Sequence, residues 1–421
     1  MLYRVCLSLL LVLAGTAQAR YGDDLPTPFG RNYYFADAAQ PRQLPPLQSA
    51  PEAEAWRTRI EDQEWRDGPY GADLSETLLD AANYFQGRGD FDQAIALRRR
   101  AVHLTRVNDG LYSPLQLPLL RTLLENYLDR GNLEKADEVH AYLFHLSRQH
   151  HTPDEMAYVE ASVEYSDWQR KRWLLEPDPE DPDRLYDIWR LLSERELKDE
   201  ENPLPIEQLA TLVYAQLRVL YVIGVADLGF DRESEMMMGR AYGSQQQEPS
   251  VAKSQLQFLQ QSAYARGRSR LEYLAERLEA SDDFLARATV ARQRADWSIW
   301  HGQTTRASEQ YRLAWEILAA DSSGALRREW FGEPRELPAD GILWPGPRPQ
   351  HLADEVVLVT AEFDVSARGK VKKVESRTSD EGREGVGYRL NRWLRDSQFR
   401  PRLEDGEMVP TEGLIREYRV E

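Results

Sequence analysis

Residues 399–407 read Phe399-Arg400-Pro401-Arg402-Leu403-Glu404-Asp405-Gly406-Glu407. An aromatic residue, a proline two positions later and then an Asp-Gly pair mark a strand end followed by a turn. Upstream, residues 356–365 alternate apolar and polar as a half-buried strand does. The polar turn Ser366-Ala367-Arg368-Gly369 leads into a second strand through Val371 and Val374. An amphipathic segment around Leu390, Trp393 and Leu394 reads as a helix, and residues 414–420 as a last strand. In that strand Leu414, Arg416, Tyr418 and Val420 share one face, and Ile415, Glu417 and Arg419 share the other.

This order of strand, Gly turn, strand, helix with a late Trp, aromatic-x-Pro, Gly turn and final strand resembles the C-terminal domain of the TonB family. The resemblance covers residues 351–421. It implies a small α+β domain that works in the periplasm and grips extended segments of outer-membrane receptors. A small open sheet exposes a strand edge, which accepts a peptide through backbone hydrogen bonds. The edge of the last strand is the expected binding element, with Leu414, Ile415, Arg416 and Tyr418 on it. Arg400 and Arg402 flank Pro401. They either set the register of an acidic partner segment or are solvated strand charges, and the solvated reading is preferred.

A different periodicity governs the middle of the chain. Leu78, Ala82, Phe85, Gly89, Ala94 and Ala101 define a frame that Leu120, Leu124, Tyr127, Gly131, Ala136 and Leu143 repeat. Ala295, Gly302, Ala307, Tyr311 and Ala314 give a third, late copy. Small residues at these spacings let paired helices approach closely, and the spacings resemble tetratricopeptide (TPR) repeats. Arg98 and His140 stand where such a repeat carries an aromatic. Between the copies the helical pattern continues, and the strongly apolar residues 204–228 read as a buried central helix. Stacked helix pairs imply an α-solenoid with a concave face. Residues 329–350 hold several prolines together with Trp330, Phe331 and Trp344, and read as a stiff linker docked in part by its tryptophans. Residues 20–50 are Pro-rich, and their Tyr33, Tyr34 and Phe35 suggest a segment packed extended across a later surface.

The 421 residues carry a net charge of −17. That balance excludes a general nucleic-acid binder, which needs excess Lys and Arg for phosphates. Residues 351–421 contribute only −2 and residues 20–350 contribute −16, so the acidity belongs to the helices. A solvated surface explains it, with a basic partner as the sharper alternative. The start of the chain reads as an export signal: Arg4, an apolar run from Leu7 to Ala14, and Ala17-Gln18-Ala19 as the cleavage site. The single cysteine, Cys6, lies inside it, so the mature chain would hold no disulfide and no thiolate metal site. The cluster His140, His145, His150 and His151 lacks the spacing of four that places two ligands on one helix face at its first pair, and reads as surface histidines. The chain shows no Gly-x-Ser-x-Gly, phosphate-cradling loop or His-Glu-x-x-His.

The expected protein is mainly α, a TPR-like α-solenoid over residues 51–328, with a small α+β domain of the TonB C-terminal type. A signal peptide occupies residues 1–19, and no integral membrane segment is expected after cleavage. Its expected role is that of a non-enzymatic periplasmic adaptor that binds envelope proteins, an outer-membrane protein among them, without metal or cofactor. A divergent energy transducer and an envelope-acting enzyme are the alternatives.

Overall fold

The computed structural model describes residues 25–26, 32–35, 50–176, 183–194, 203–226, 251–339, 342–343, 357–378 and 384–420. The expected signal segment and the Met236–Met238 run lie outside them. The chain is mostly helical, with a small strand-containing region at its C-terminal end. Two short strands come first, β1 (Leu25–Pro26) and β2 (Asn32–Phe35). The helices then follow as α1 (Ala50–Asp67), α2 (Leu74–Gly87), α3 (Phe91–Asp109), α4 (Gln116–Arg130), α5 (Leu133–His150) and α6 (Met156–Leu175). After them come α7 (Asp183–Ser193), α8 (Ile206–Val225), α9 (Val251–Leu278), α10 (Phe284–Trp300), α11 (Thr304–Ile317) and α12 (Ala325–Phe331).

Three of the helix pairs turn in one way. Gly89, Gly131 and Gly302 lie at φ of 78°, 73° and 75°, a left-handed conformation that only glycine adopts without steric cost. The N–H groups of the next residues, Asp90, Asn132 and Gln303, reach back to the carbonyls of Phe85, Tyr127 and Ser298 at 3.0, 2.8 and 2.8 Å. The glycine N–H groups bond Gln86, Leu128 and Ile299 at 3.0, 2.9 and 3.0 Å. These bonds satisfy the last carbonyls of one helix while starting the next. Asp90 and Asn132 also cap it, their side chains accepting from Gln93 and Lys135 N–H at 3.2 and 3.0 Å.

One turn further on, Ala94, Ala136 and Ala307 are fully buried. Their small side chains set the close approach of the paired helices. The next position along that face holds Arg98, His140 and Tyr311, all buried. Arg98 donates to Asn83 Oδ1 at 2.7 Å and Tyr311 donates to Asp296 Oδ1 at 2.7 Å. Asn83 and Asp296 hold the same place in the frame, so one geometry serves two different polar pairs. His140 instead stacks on Trp168 of α6, with ring centroids 4.4 Å apart and planes 14° apart. The reading of His140 as a surface histidine is therefore corrected: the repeat frame points it inward.

The helix α8 is the one helix among the described residues long and apolar enough to cross a membrane, and 67% of its most apolar stretch is buried inside the protein. Leu209, Val213, Leu220 and Ile223 form the centre of the largest core, which α6, α7 and α9 complete. Its buried Gln216 is satisfied, donating to Leu192 O at 2.7 Å and accepting from Arg270 at 2.5 Å. Arg218 pairs with Asp167 at 3.0 Å. Both polar positions are thus paired with neighbouring helices, and Gln208 donates to Asp154 O at 3.0 Å.

The C-terminal region is built on β4 (Val357–Val365), flanked antiparallel by β5 (Val371–Thr378) and β9 (Thr411–Val420). Helix α13 (Glu384–Asp396) covers one face. The inward residues Val359, Ala361, Phe363, Val365, Leu390 and Leu394 make the core, while Leu358 on the opposite face is exposed. Three further strands leave this sheet. β6 (Gln398–Arg400) pairs with β3 (Arg335–Leu337). β7 (Arg402–Glu404) and β8 (Glu407–Val409) form a hairpin closed by Asp405 at φ 49° and Gly406 at φ 82°.

Much of the stretch expected as a linker is thus a joint. Phe331 and Leu337 are buried, β3 is a strand of the C-terminal unit, and Ile342 sits in the large helical core with Arg170 donating to its carbonyl. Docking removes the apolar surface of Trp330, Phe331, Leu337 and Ile342 from water, which favours it over a free linker.

Candidate partner-binding surfaces

The six residues singled out in the sequence separate by burial. Arg400 is not a solvated charge. Its side chain is 1% exposed and its guanidinium grips the Asp296 carboxylate at 2.8 and 2.5 Å. The third nitrogen donates to Trp330 O at 3.2 Å, and Tyr311 completes the cluster by donating to the same carboxylate. Arg400 thus ties β6 to the final helix pair rather than meeting an outside partner. Tyr418 is also buried, packed edge-on against Trp393 with centroids 6.1 Å apart, and belongs to the core. Arg402 is half-buried and pairs with Glu404 at 2.7 Å. Arg416 is half-buried beside Glu333 and the Pro334 carbonyl, at 3.4 and 3.3 Å. Leu414 packs partly against the sheet core. Ile415 alone among the six projects freely, at 62% exposed.

The inward and outward alternation of this strand follows the sequence reading, but its edge is not wholly open. Tyr33, Tyr34 and Phe35 of β2 pair antiparallel with Val420, Arg419 and Tyr418. The chain's own N-terminal strand therefore takes the far end of the expected docking edge. An extended aromatic segment has the backbone form that such an edge accepts.

A second surface is a cavity of about 220 Å³ between α4, α5 and α6. Leu143, Phe144 and Tyr165 give it an apolar floor, and Phe144 stacks on Tyr165 at 5.0 Å and 11°. Arg121 closes one side in a bidentate pair with Glu164, at 2.7 and 2.9 Å. His151 pairs with Glu155 at 2.9 Å on the rim. His140 lines the cavity from below. Burial pushes its pKa down to about 4, so the imidazole is neutral at pH 7. The only signal in the sequence for this cavity was the departure of His140 from the repeat. Among the described residues no group of His, Cys, Asp or Glu side chains is placed to hold a metal ion.

No protein-family model matches the chain, and no curated protein matches it.

Proposed function

We propose that this protein is an exported periplasmic adaptor that binds envelope proteins and performs no chemistry of its own. Its helical part is read as a TPR-like array and its C-terminal part as a TonB-C-terminal-like module. The observation that carries the reading is the turn repeated at Gly89, Gly131 and Gly302 with the same hydrogen bonds and the same buried alanines. Repeated hairpins of this kind build extended surfaces for protein partners. The order β4, Gly369 turn, β5, α13, β6 and final β9 supports the second half of the reading.

Export is part of the proposal, and the mature chain would begin at Arg20. Crosslinking in intact cells, followed by affinity purification of the full chain and intact-mass measurement, tests both parts. The expected result is a mass lacking residues 1–19 and co-purified envelope proteins. A chain that keeps residues 1–19 and brings down no envelope protein would overturn the proposal.

A further inference from the structure

The cavity between α4, α5 and α6 holds features that the folding of the helices does not require. His140 is 8% exposed and forms no hydrogen bond through its ring among the described residues, and its nitrogens are not shut off from solvent. Such nitrogens are satisfied by water, and a ligand with a polar atom in reach takes the place of that water. Stacking of His140 on Trp168 fixes the ring plane, and Trp168 is itself held by a 2.5 Å hydrogen bond to Asp137. The imidazole is therefore a donor and acceptor of fixed orientation in a cavity lined by apolar and polar side chains together.

The rim charges are unequal. Arg121 is used up by Glu164 and His151 by Glu155. Glu160 lines the same cavity, is exposed, and has no ion pair or hydrogen bond among the described residues. The rim thus offers one uncompensated negative charge on a part of the chain whose net charge is −16. The size also decides between ligand classes. At about 220 Å³ the cavity lies below the roughly 300–1,000 Å³ of typical small-molecule sites. It has room for one large side chain.

We propose that this cavity is a peptide-docking site for a protein partner. It takes an aliphatic or aromatic side chain onto Phe144 and Tyr165, a neighbouring Lys or Arg against Glu160, and a polar backbone atom onto His140. The assignment deepens the adaptor reading and rests on it.

Fluorescence anisotropy on the full-length chain tests it with short labelled peptides differing only in a central Leu-Lys, Leu-Glu or Ser-Lys pair. The expected result is that the Leu-Lys peptide binds about tenfold more tightly than either other, since both the apolar and the charged contact are needed. Glu160→Lys, at an exposed position, should reverse the preference between Leu-Lys and Leu-Glu. Ala161→Trp, which fills the cavity, should abolish binding. His140→Phe keeps the stack on Trp168 and should weaken binding without changing the charge preference. Thermal melts establish that each variant is folded. Equal binding of the three peptides, binding that survives Ala161→Trp, or an unchanged preference in Glu160→Lys would overturn the site. A chain that captures envelope proteins but binds none of the peptides removes the cavity and leaves the adaptor reading. A chain that does neither removes both.

Discussion

At the scale of single residues, Arg400 and Asp296 form a fully desolvated ion pair between strand β6 and helix α10. Desolvation of two charges offsets much of their attraction, so the pair is better evidence of fixed geometry than of net stability. Removing one partner is another matter, because it leaves a buried charge alone. Arg400→Ala should cost about 3–5 kcal/mol in chemical denaturation, and the double replacement Arg400→Met with Asp296→Leu much less. Glu336 is the second residue with a measurable consequence. It is 3% exposed, and neither carboxylate oxygen has a hydrogen-bond partner among the described residues; the nearby Ser397 hydroxyl is directed to Trp393 O. Burial raises its pKa to about 8, and the Arg416 charge offsets only part of that. Below the ordinary carboxylate range the group is protonated in both states, and its contribution is then fully present. As pH rises through about 8 the folded state must ionise it, and that contribution is lost. Stability should therefore fall between about pH 4.5 and 8 with a component that Glu336→Gln removes. Denaturation midpoints measured across that range check it, the variant being the more stable protein at pH 8.

At the scale of elements, the helix pairs were the most legible feature of the chain. The spacing of Gly89, Ala94 and Ala101 in one copy and Gly131, Ala136 and Leu143 in the next reflects a backbone need and a steric need. Both are written in residue type. Ala136→Leu should destabilise by about 1–3 kcal/mol through overpacking, read from the denaturant midpoint. The strands β4 and β9 were equally legible, since alternation fixes the face of each side chain, whereas β5 breaks its alternation at a bulge with Lys373 at φ 50°. What residue type does not encode is which edge a short strand will choose. β6 and the β7–β8 hairpin leave the main sheet for β3 and the last helices, where Arg312 pairs with Glu407 at 2.7 Å and Leu403 enters the core around Tyr311. For that reason Arg400 read as a surface charge: its partner lies far away in sequence, and a lone Arg in a strand carries no mark of it. The cavity at His140 was hidden in the same way, since three separate helices build it.

At the scale of the whole molecule, the final helix pair and the C-terminal sheet share one joint. Trp330, Phe331 and Leu337 pack with Ala295, Tyr311 and Leu403 in a single core. Removing residues 351–421 should therefore leave α1–α9 folded but expose Phe331 and strip Asp296 of Arg400, loosening α10–α12. Hydrogen exchange on the truncated chain should show faster exchange in residues 284–331 and unchanged protection in residues 74–150. The proposed role of the whole, an adaptor with two binding surfaces, is tested most directly by photocrosslinking in intact cells. A photoreactive residue is placed in the full chain at Ile415, the free position on β9, or at Glu160, on the cavity rim. The expected result is a discrete adduct with an envelope protein from at least one of the two positions, absent when the label is moved to the exposed Trp65 of α1. Folded, exported chains that give no adduct from either position would contradict it.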